Sequence, residues 1–221
     1  MTSEEWTGPV ADAEADLPVL DVVHRFTGAV IAVRSDTVDV AGHVVVRDVV
    51  VHPGAVGILA LDHLDRVLLV RQYRHPVGGY LFEPPAGLLD VDGEAPLATA
   101  ARELLEESGW TAATWHVLVD FANSPGGSSE VFRCYLARDL APAPGGRVAT
   151  GEAEEAHLPR VWVDLDEARD LVLAGRLANP TAVVGILAAW AARAGGWSAL
   201  RPATAPWPAR ERVAAIDAAR R

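Results

Sequence analysis

Apolar positions along the chain recur with two different periods. From Val19 to Val56 they alternate or cluster in Val-rich stretches. VVHRFTGAVIAVRSDTVDV and HVVVRDVVVH read as strands broken at Gly28, Ser35-Asp36 and Gly42. The run VGILALDHLDRVLLVRQY (56–73) fits a hairpin, two apolar strands flanking a polar turn around Asp62–Arg66. Further strands fit residues 115–121 and 131–137, joined by the loop NSPGGSSE, and RVWVDL after them. Elsewhere the period is helical. Leu97, Ala101, Leu104 and Leu105 line one face of a helix over 97–108, with Pro96 suited to its first turn and Gly109 to its C-terminal cap. DLDEARDLVLAG reads as a helix stopped by Gly175, and Asn179-Pro180 opens another, TAVVGILAAWAARA. Prolines and glycines make HPVGGYLFEPPAGLLDVDGEAP a set of tight loops, and APAPGGRVATGEAEEAH reads as a surface excursion. Strands interleaved with helices predict an α+β fold, an α/β/α sandwich in which helices flank a mixed sheet, with an N-terminal antiparallel strand extension.

Charge and composition narrow the function. The chain has 221 residues, half of them apolar, and a formal net charge of −11; all nineteen bases are Arg. Such an acidic chain lacks the basic footprint that non-specific nucleic-acid binding needs. No apolar run is long enough to span a membrane. The N-terminus, MTSEEWTGPVADAEADLP, is acidic and lacks an apolar signal core, so a cytoplasmic location is expected. A lone Cys134 excludes an intrachain disulfide and a Cys-based metal knuckle, and reads as a small buried apolar residue. Seven His residues are scattered without ligand spacing; His52 and His75 precede prolines and are read as turn residues.

The chemistry concentrates in GLLDVDGEAPLATAARELLEESGW, residues 87–110. Glu103, Glu106 and Glu107 sit at i, i+3 and i+4, on one helix face, with neighbouring Cβ atoms about 5–6 Å apart. Like charges at that spacing destabilise a helix, and at its C-terminal end the macrodipole favours cations. A divalent cation reverses the sign of these interactions, and a hard one such as Mg²⁺ takes carboxylate oxygens. The segment resembles the Nudix box: Gly, five residues, Glu, seven residues, then Arg-Glu-apolar-x-Glu-Glu-x-Gly-apolar. Glu94, Arg102, Glu103, Leu104, Glu106, Glu107, Gly109 and Trp110 fit; six residues rather than five separate Gly87 from Glu94. The resemblance implies metal-assisted hydrolysis of a diphosphate. It implies that Glu103, Glu106, Glu107 and the carbonyl of Ala86 hold two or three Mg²⁺ ions, or Mn²⁺, and that Glu94 and Arg102 brace the loop and helix.

Features outside the box resemble the ADP-ribose pyrophosphatase subgroup. These are RDVVVHPGAVGILALD and VRQYRHPVGGYLFEPPAGLLD before it, Pro125 after it, and SPGGSSE, which ends in Glu130. Gly127 and Ser129 depart from the subgroup's usual loop, where a bulky residue and an acid are common. The resemblance implies that Glu130 is the catalytic base, on a loop able to swing in with substrate. Glu106 joins it in catalysis as a ligand of a further metal or its waters. Arg47 and Arg74 are candidate phosphate ligands, because a guanidinium binds phosphate bidentately; Glu83 is a candidate to contact substrate or orient Arg74. The expected partner is a small nucleoside diphosphate. A homodimer is also implied, formed by exchange of N-terminal strands, with Arg47 serving the partner's site. The expected organisation is a flexible leader (1–18), a dimer-forming strand region (19–56), a catalytic domain (57–197) and a loosely attached tail (198–221). A broader nucleoside-diphosphate-sugar pyrophosphatase, a non-catalytic ADP-ribose sensor and a nucleoside-triphosphate sanitiser are the rival readings; the intact box glutamates weigh against the sensor.

Overall fold

The computed structural model describes residues 5–147 and 158–220. Its centre is set by strand β4 (Ala55–Ala60), buried at every position. Side chains alternate across a strand, so Ile58 packs into one apolar cluster while Leu59 packs into the other. An apolar residue is therefore needed at each step, which accounts for the unbroken run in the sequence. β4 pairs parallel with β9 (Val131–Pro142) and antiparallel with the short β7 (Ala86–Leu88). β9 pairs with β8 (Trp110–Ala122), and β8 with β11 (Arg201–Pro202), giving the mixed order β11-β8-β9-β4-β7. A second sheet has the order β10-β5-β6, from β10 (Arg160–Asp164), β5 (Arg66–Arg74) and β6 (Gly79–Glu83).

Helices cover both faces, as expected for the α/β/α arrangement. Helices α2 (Leu165–Leu173) and α3 (Pro180–Ala194) contribute Leu165, Ala168, Ala182, Ile186 and Ala189 to the cluster holding Leu59 and Leu136. Helix α1 (Pro96–Ser108) contributes Ala100 and Leu104 to the cluster holding Val56, Ile58 and Tyr135. Helix α4 (Pro208–Ala219) joins that second face through Ala209 and Val213. Cys134 is wholly buried, and burial pushes its thiol up to about 12.

The N-terminal extension is an antiparallel meander of β1 (Val19–Thr27), β2 (Ala32–Val40) and β3 (His43–Val51). Residues 5–18 before it carry no helix or strand. The strand break expected at Ser35-Asp36 does not occur: β2 runs through both, and they are buried. Their polarity is satisfied by partners distant in sequence. Arg34 and Asp36 pair with each other, Arg34 reaches Asp217 at 2.7 Å and Asp36 takes Arg220 at 2.6 Å, both from the end of the chain.

Two further expectations are corrected. The run 56–73 is not a regular hairpin, because β4 and β5 diverge into separate sheets and share only the bridge Leu61–Val67. β4 is apolar and buried throughout and β5 over residues 67–70, and each takes its own neighbours. Nor are the described residues of the C-terminal tail loosely attached. Trp207 is buried, the Arg133 guanidinium stacks over its ring, and Arg133 donates to the carbonyls of Ala205 and Pro206 at 2.8 and 3.0 Å. The excursion expected at 141–157 falls largely on residues 148–157, outside the described residues.

Candidate active site

Helix α1 is built for its position. Pro96 opens it, and Gly109 closes it in the left-handed conformation at φ 74°, with its N–H bonded to the carbonyl of Leu105. Ala100 and Leu104 enter the core while Ala101, expected on the apolar face, is exposed; Glu103 and Glu107 lie against β7. Glu103 and Glu107 are buried, and Glu106 is half-buried. A side chain on Gly87 would collide with the Glu103 carboxylate, so glycine is what lets that carboxylate lie against β7. Glu107 accepts a hydrogen bond from the backbone N–H of Ala86 at 3.2 Å, which joins the helix to the loop entering β7.

Arg102 organises the acids around it. It forms a two-pronged pair with Glu94, at 3.1 and 2.9 Å, and also reaches Glu103 at 2.7 Å and Glu106 at 3.1 Å. Thr99 donates a further bond to Glu94. Hydrogen bonding to Arg102 holds the Glu94 carboxyl below the ordinary carboxylate range, and the guanidinium is pushed up in return. The extra residue before Glu94 is absorbed in a turn, where Glu94 N–H bonds the Val91 carbonyl and Gly93 takes φ 78°. Glu94 therefore still meets Arg102.

Two cations at the C-terminal end of α1 escape sequence reasoning. Arg147 donates to the Glu106 carbonyl at 2.7 Å, and Arg160 donates to the Ser108 carbonyl. They offset the macrodipole where the acids oppose it. Their separations from their partners, 41 and 52 residues, leave no local signal.

The remaining candidates fall in three places. Glu83 is buried at the end of β6, paired with Arg74 at 2.7 Å and accepting from Asn179. Burial pushes its carboxyl up against the lowering influence of Arg74. Asn179 also caps α3, accepting from Ala182 N–H at 3.0 Å, so Glu83 joins Arg74 to a helix start. Arg47 lies exposed on β3 and donates to its neighbour's carbonyl, that of Val46; the structure does not bring it to the acidic face of α1.

Glu130 ends the loop after β8, and this loop is fastened rather than free. Val50 N–H bonds the Gly127 carbonyl at 2.8 Å, Ser129 N–H bonds the Val50 carbonyl at 3.0 Å, and His52 N–H bonds the Ser129 hydroxyl at 3.0 Å. Asn123 donates to the Glu130 carboxylate at 2.7 Å, and His52 Nε2 lies 3.8 Å from its other oxygen. Nothing in the sequence singles out Asn123, and His52 reads there only as a turn residue before Pro53.

The donor set of α1 fits a hard divalent cation: carboxylates and a backbone carbonyl offer oxygen only. Among the described residues no three His, Cys, Asp or Glu side chains already converge as ligands, since Arg102 holds Glu103 and Glu106. The NUDIX domain family matches residues 51–183, more than half of the chain. The chain belongs to the Nudix family. Nudix hydrolases generally use divalent cations, in keeping with this donor set. Among Nudix relatives, the chain is 44% identical over 198 residues to an ADP-ribose pyrophosphatase of Mycobacterium tuberculosis, covering 88% of this chain and 93% of that protein. It is 38% identical to an ADP-ribose pyrophosphatase of Bacillus subtilis (66% and 78% covered) and 33% identical to a methanol dehydrogenase activator of Bacillus methanolicus (73% and 85%). A solved structure, the crystal structure of an ADP compounds hydrolase, shares this Nudix fold. Its TM-score is 0.71 at 24% identity, with 84% of this chain and 98% of that one covered.

Proposed function

We propose that this Nudix hydrolase cleaves the diphosphate bond of ADP-ribose, giving AMP and ribose 5-phosphate, and that it works in the cytoplasm with Mg²⁺ (Mn²⁺ as the alternative), two or three ions per site. The observation that carries the reading is the Mycobacterium tuberculosis relative, matched over 93% of its length. The substrate is a small anion, compatible with an acidic chain because bound cations would screen it from the carboxylates. Glu103, Glu106, Glu107 and the Ala86 carbonyl would hold the metal, with Glu106 on a further ion or its waters. The bound ions supply charge neutralisation at the diphosphate and a more acidic water.

The chain's own residues do the rest. Arg102 keeps Glu103 and Glu106 oriented and Glu94 keeps Arg102 in place. Glu130 takes a proton from the attacking water. The water oxygen bonds to one phosphorus, the bond from that phosphorus to the bridging oxygen breaks, and the bridging oxygen leaves on the other phosphate. Arg74, paired with buried Glu83, would offer its remaining N–H groups to phosphate. Arg47 would act in the site of a second copy, in a homodimer built on β1–β3. Exposed Leu20, Phe26, Val44 and Val46 support that assembly.

The test is a substrate panel of ADP-ribose, ADP-glucose, dinucleotides and nucleoside triphosphates, with Mg²⁺ and with Mn²⁺, read by product identity. The expected result is AMP and ribose 5-phosphate, with ADP-ribose the preferred substrate. Preference for a triphosphate, or no cleavage with either metal, overturns the reading. In ¹⁸O-water the same assay identifies the phosphorus attacked.

A further inference from the structure

Residue His52 sits between β3 and β4, and its two ring nitrogens face different things. Nδ1 accepts the backbone N–H of Gly54 at 3.1 Å. A nitrogen that accepts carries no proton, so in the neutral ring the proton is on Nε2. Nε2 lies 3.8 Å from Oε1 of Glu130, longer than a hydrogen bond, though both side chains are mostly buried. The other carboxylate oxygen is already held by Asn123 at 2.7 Å. The backbone links His52 to the same loop, through its N–H to the Ser129 hydroxyl, while Glu130 N–H bonds the Ser128 hydroxyl. Such contacts around a catalytic base are often long without substrate and tighten when it binds.

We propose that His52 is a positioning residue for Glu130: its Nε2–H donates to Oε1 and, with Asn123 on Oε2, holds the carboxylate in one orientation toward the attacking water. This rests on the reading of Glu130 as the base. The Gly54–Nδ1 bond fixes the ring so that its other nitrogen points at the base. A residue read from sequence as a turn former thus does both jobs.

The two nitrogens can be separated chemically. An Asn side chain places a polar atom near the position of Nδ1 and keeps the Gly54 bond, but cannot reach Glu130. Gln extends a donor N–H to the position of Nε2. ADP-ribose hydrolysis is measured for the full-length wild type, His52→Asn, His52→Gln, Glu130→Gln and the double variant His52→Asn/Glu130→Gln. In His52→Asn, kcat is expected to fall about tenfold, as loss of an orienting partner typically costs, with KM unchanged. His52→Gln recovers most of it, and the fall disappears in the Glu130→Gln background. A purely structural His52 gives the reverse: Asn preserves activity and Gln does not. That pattern, equal loss in both variants, or an undiminished effect in the double variant overturns the proposal. Should Glu130→Gln itself keep a normal kcat, the base assignment fails; should it be slow while His52→Asn is normal, only the role of His52 fails.

Discussion

Strands β3 and β4 are joined by three residues, His52, Pro53 and Gly54, and both are rich in aliphatic side chains. Yet β4 is buried at all six positions, whereas β3 is exposed at five of nine. The difference lies in their neighbours. β4 sits between β9 and β7 with a helical layer on either side, while β3 is an edge strand paired only with β2 in the regular ladder. The extension attaches to the body mainly through polar groups: the Arg34–Asp36 pair with Asp217 and Arg220, and the bonds from Val50 and His52 to the Glu130 loop. Apolar composition alone therefore does not mark the core. The body is held by packing, the extension by a few specific contacts, and its exposed Val residues are available to a second copy.

The sharpest way to separate the two regions is to remove a carboxylate from the body. Glu107→Gln is expected to lower turnover by orders of magnitude while circular dichroism and the mass in solution match those of the wild type; retained activity in Mg²⁺ would sink the ligand assignment. In the extension, Arg34→Ala removes a buried cation from beside Asp36 and Asp217. Breaking a buried pair from one side costs about 3 kcal/mol, so a clear drop in melting temperature should accompany it, and an unchanged melt would mean the extension is held by other contacts. Val46→Asp, on an exposed position of β3, should leave the melt of the body nearly unchanged but halve the mass measured by light scattering. A monomeric wild type at micromolar concentration would reject the interface itself. The smallest effect concerns acid. Glu94 is held below its ordinary value, so its contribution to stability is complete above the ordinary carboxylate range and is lost as pH falls through the lowered value. The stability gap between wild type and Glu94→Gln should narrow over that acid window, and a gap that widened would contradict the Arg102 pairing.

What could be read from the sequence was what depends on neighbours in the chain. The bounds of α1, its opening Pro96 and closing Gly109, the Asn179 cap of α3 and the shared face of Glu103, Glu106 and Glu107 follow from local spacing. What could not be read depends on partners far away. Ser35 and Asp36 look like a break until Arg220 is beside Asp36, and the tail looks loose until Arg133 meets Trp207. The turn role of His52 was legible in the following proline, and Gly54 does bond its ring. Its approach to Glu130 was not, because that depends on a loop 77 residues downstream. Nor does the sequence show that the Glu130 loop is bonded to β3 through Val50.

The two guanidiniums on the last carbonyls of α1 bracket residues 148–157. Arg147 precedes that segment and Arg160 follows it closely, so both ends are moored to the same helix terminus. Both bonds fall at the carbonyl end of the helix whose acidic face is the proposed metal site. Loss of either arginine would leave its carbonyl, that of Glu106 or of Ser108, without this donor, and the helix terminus without the charge that offsets its macrodipole.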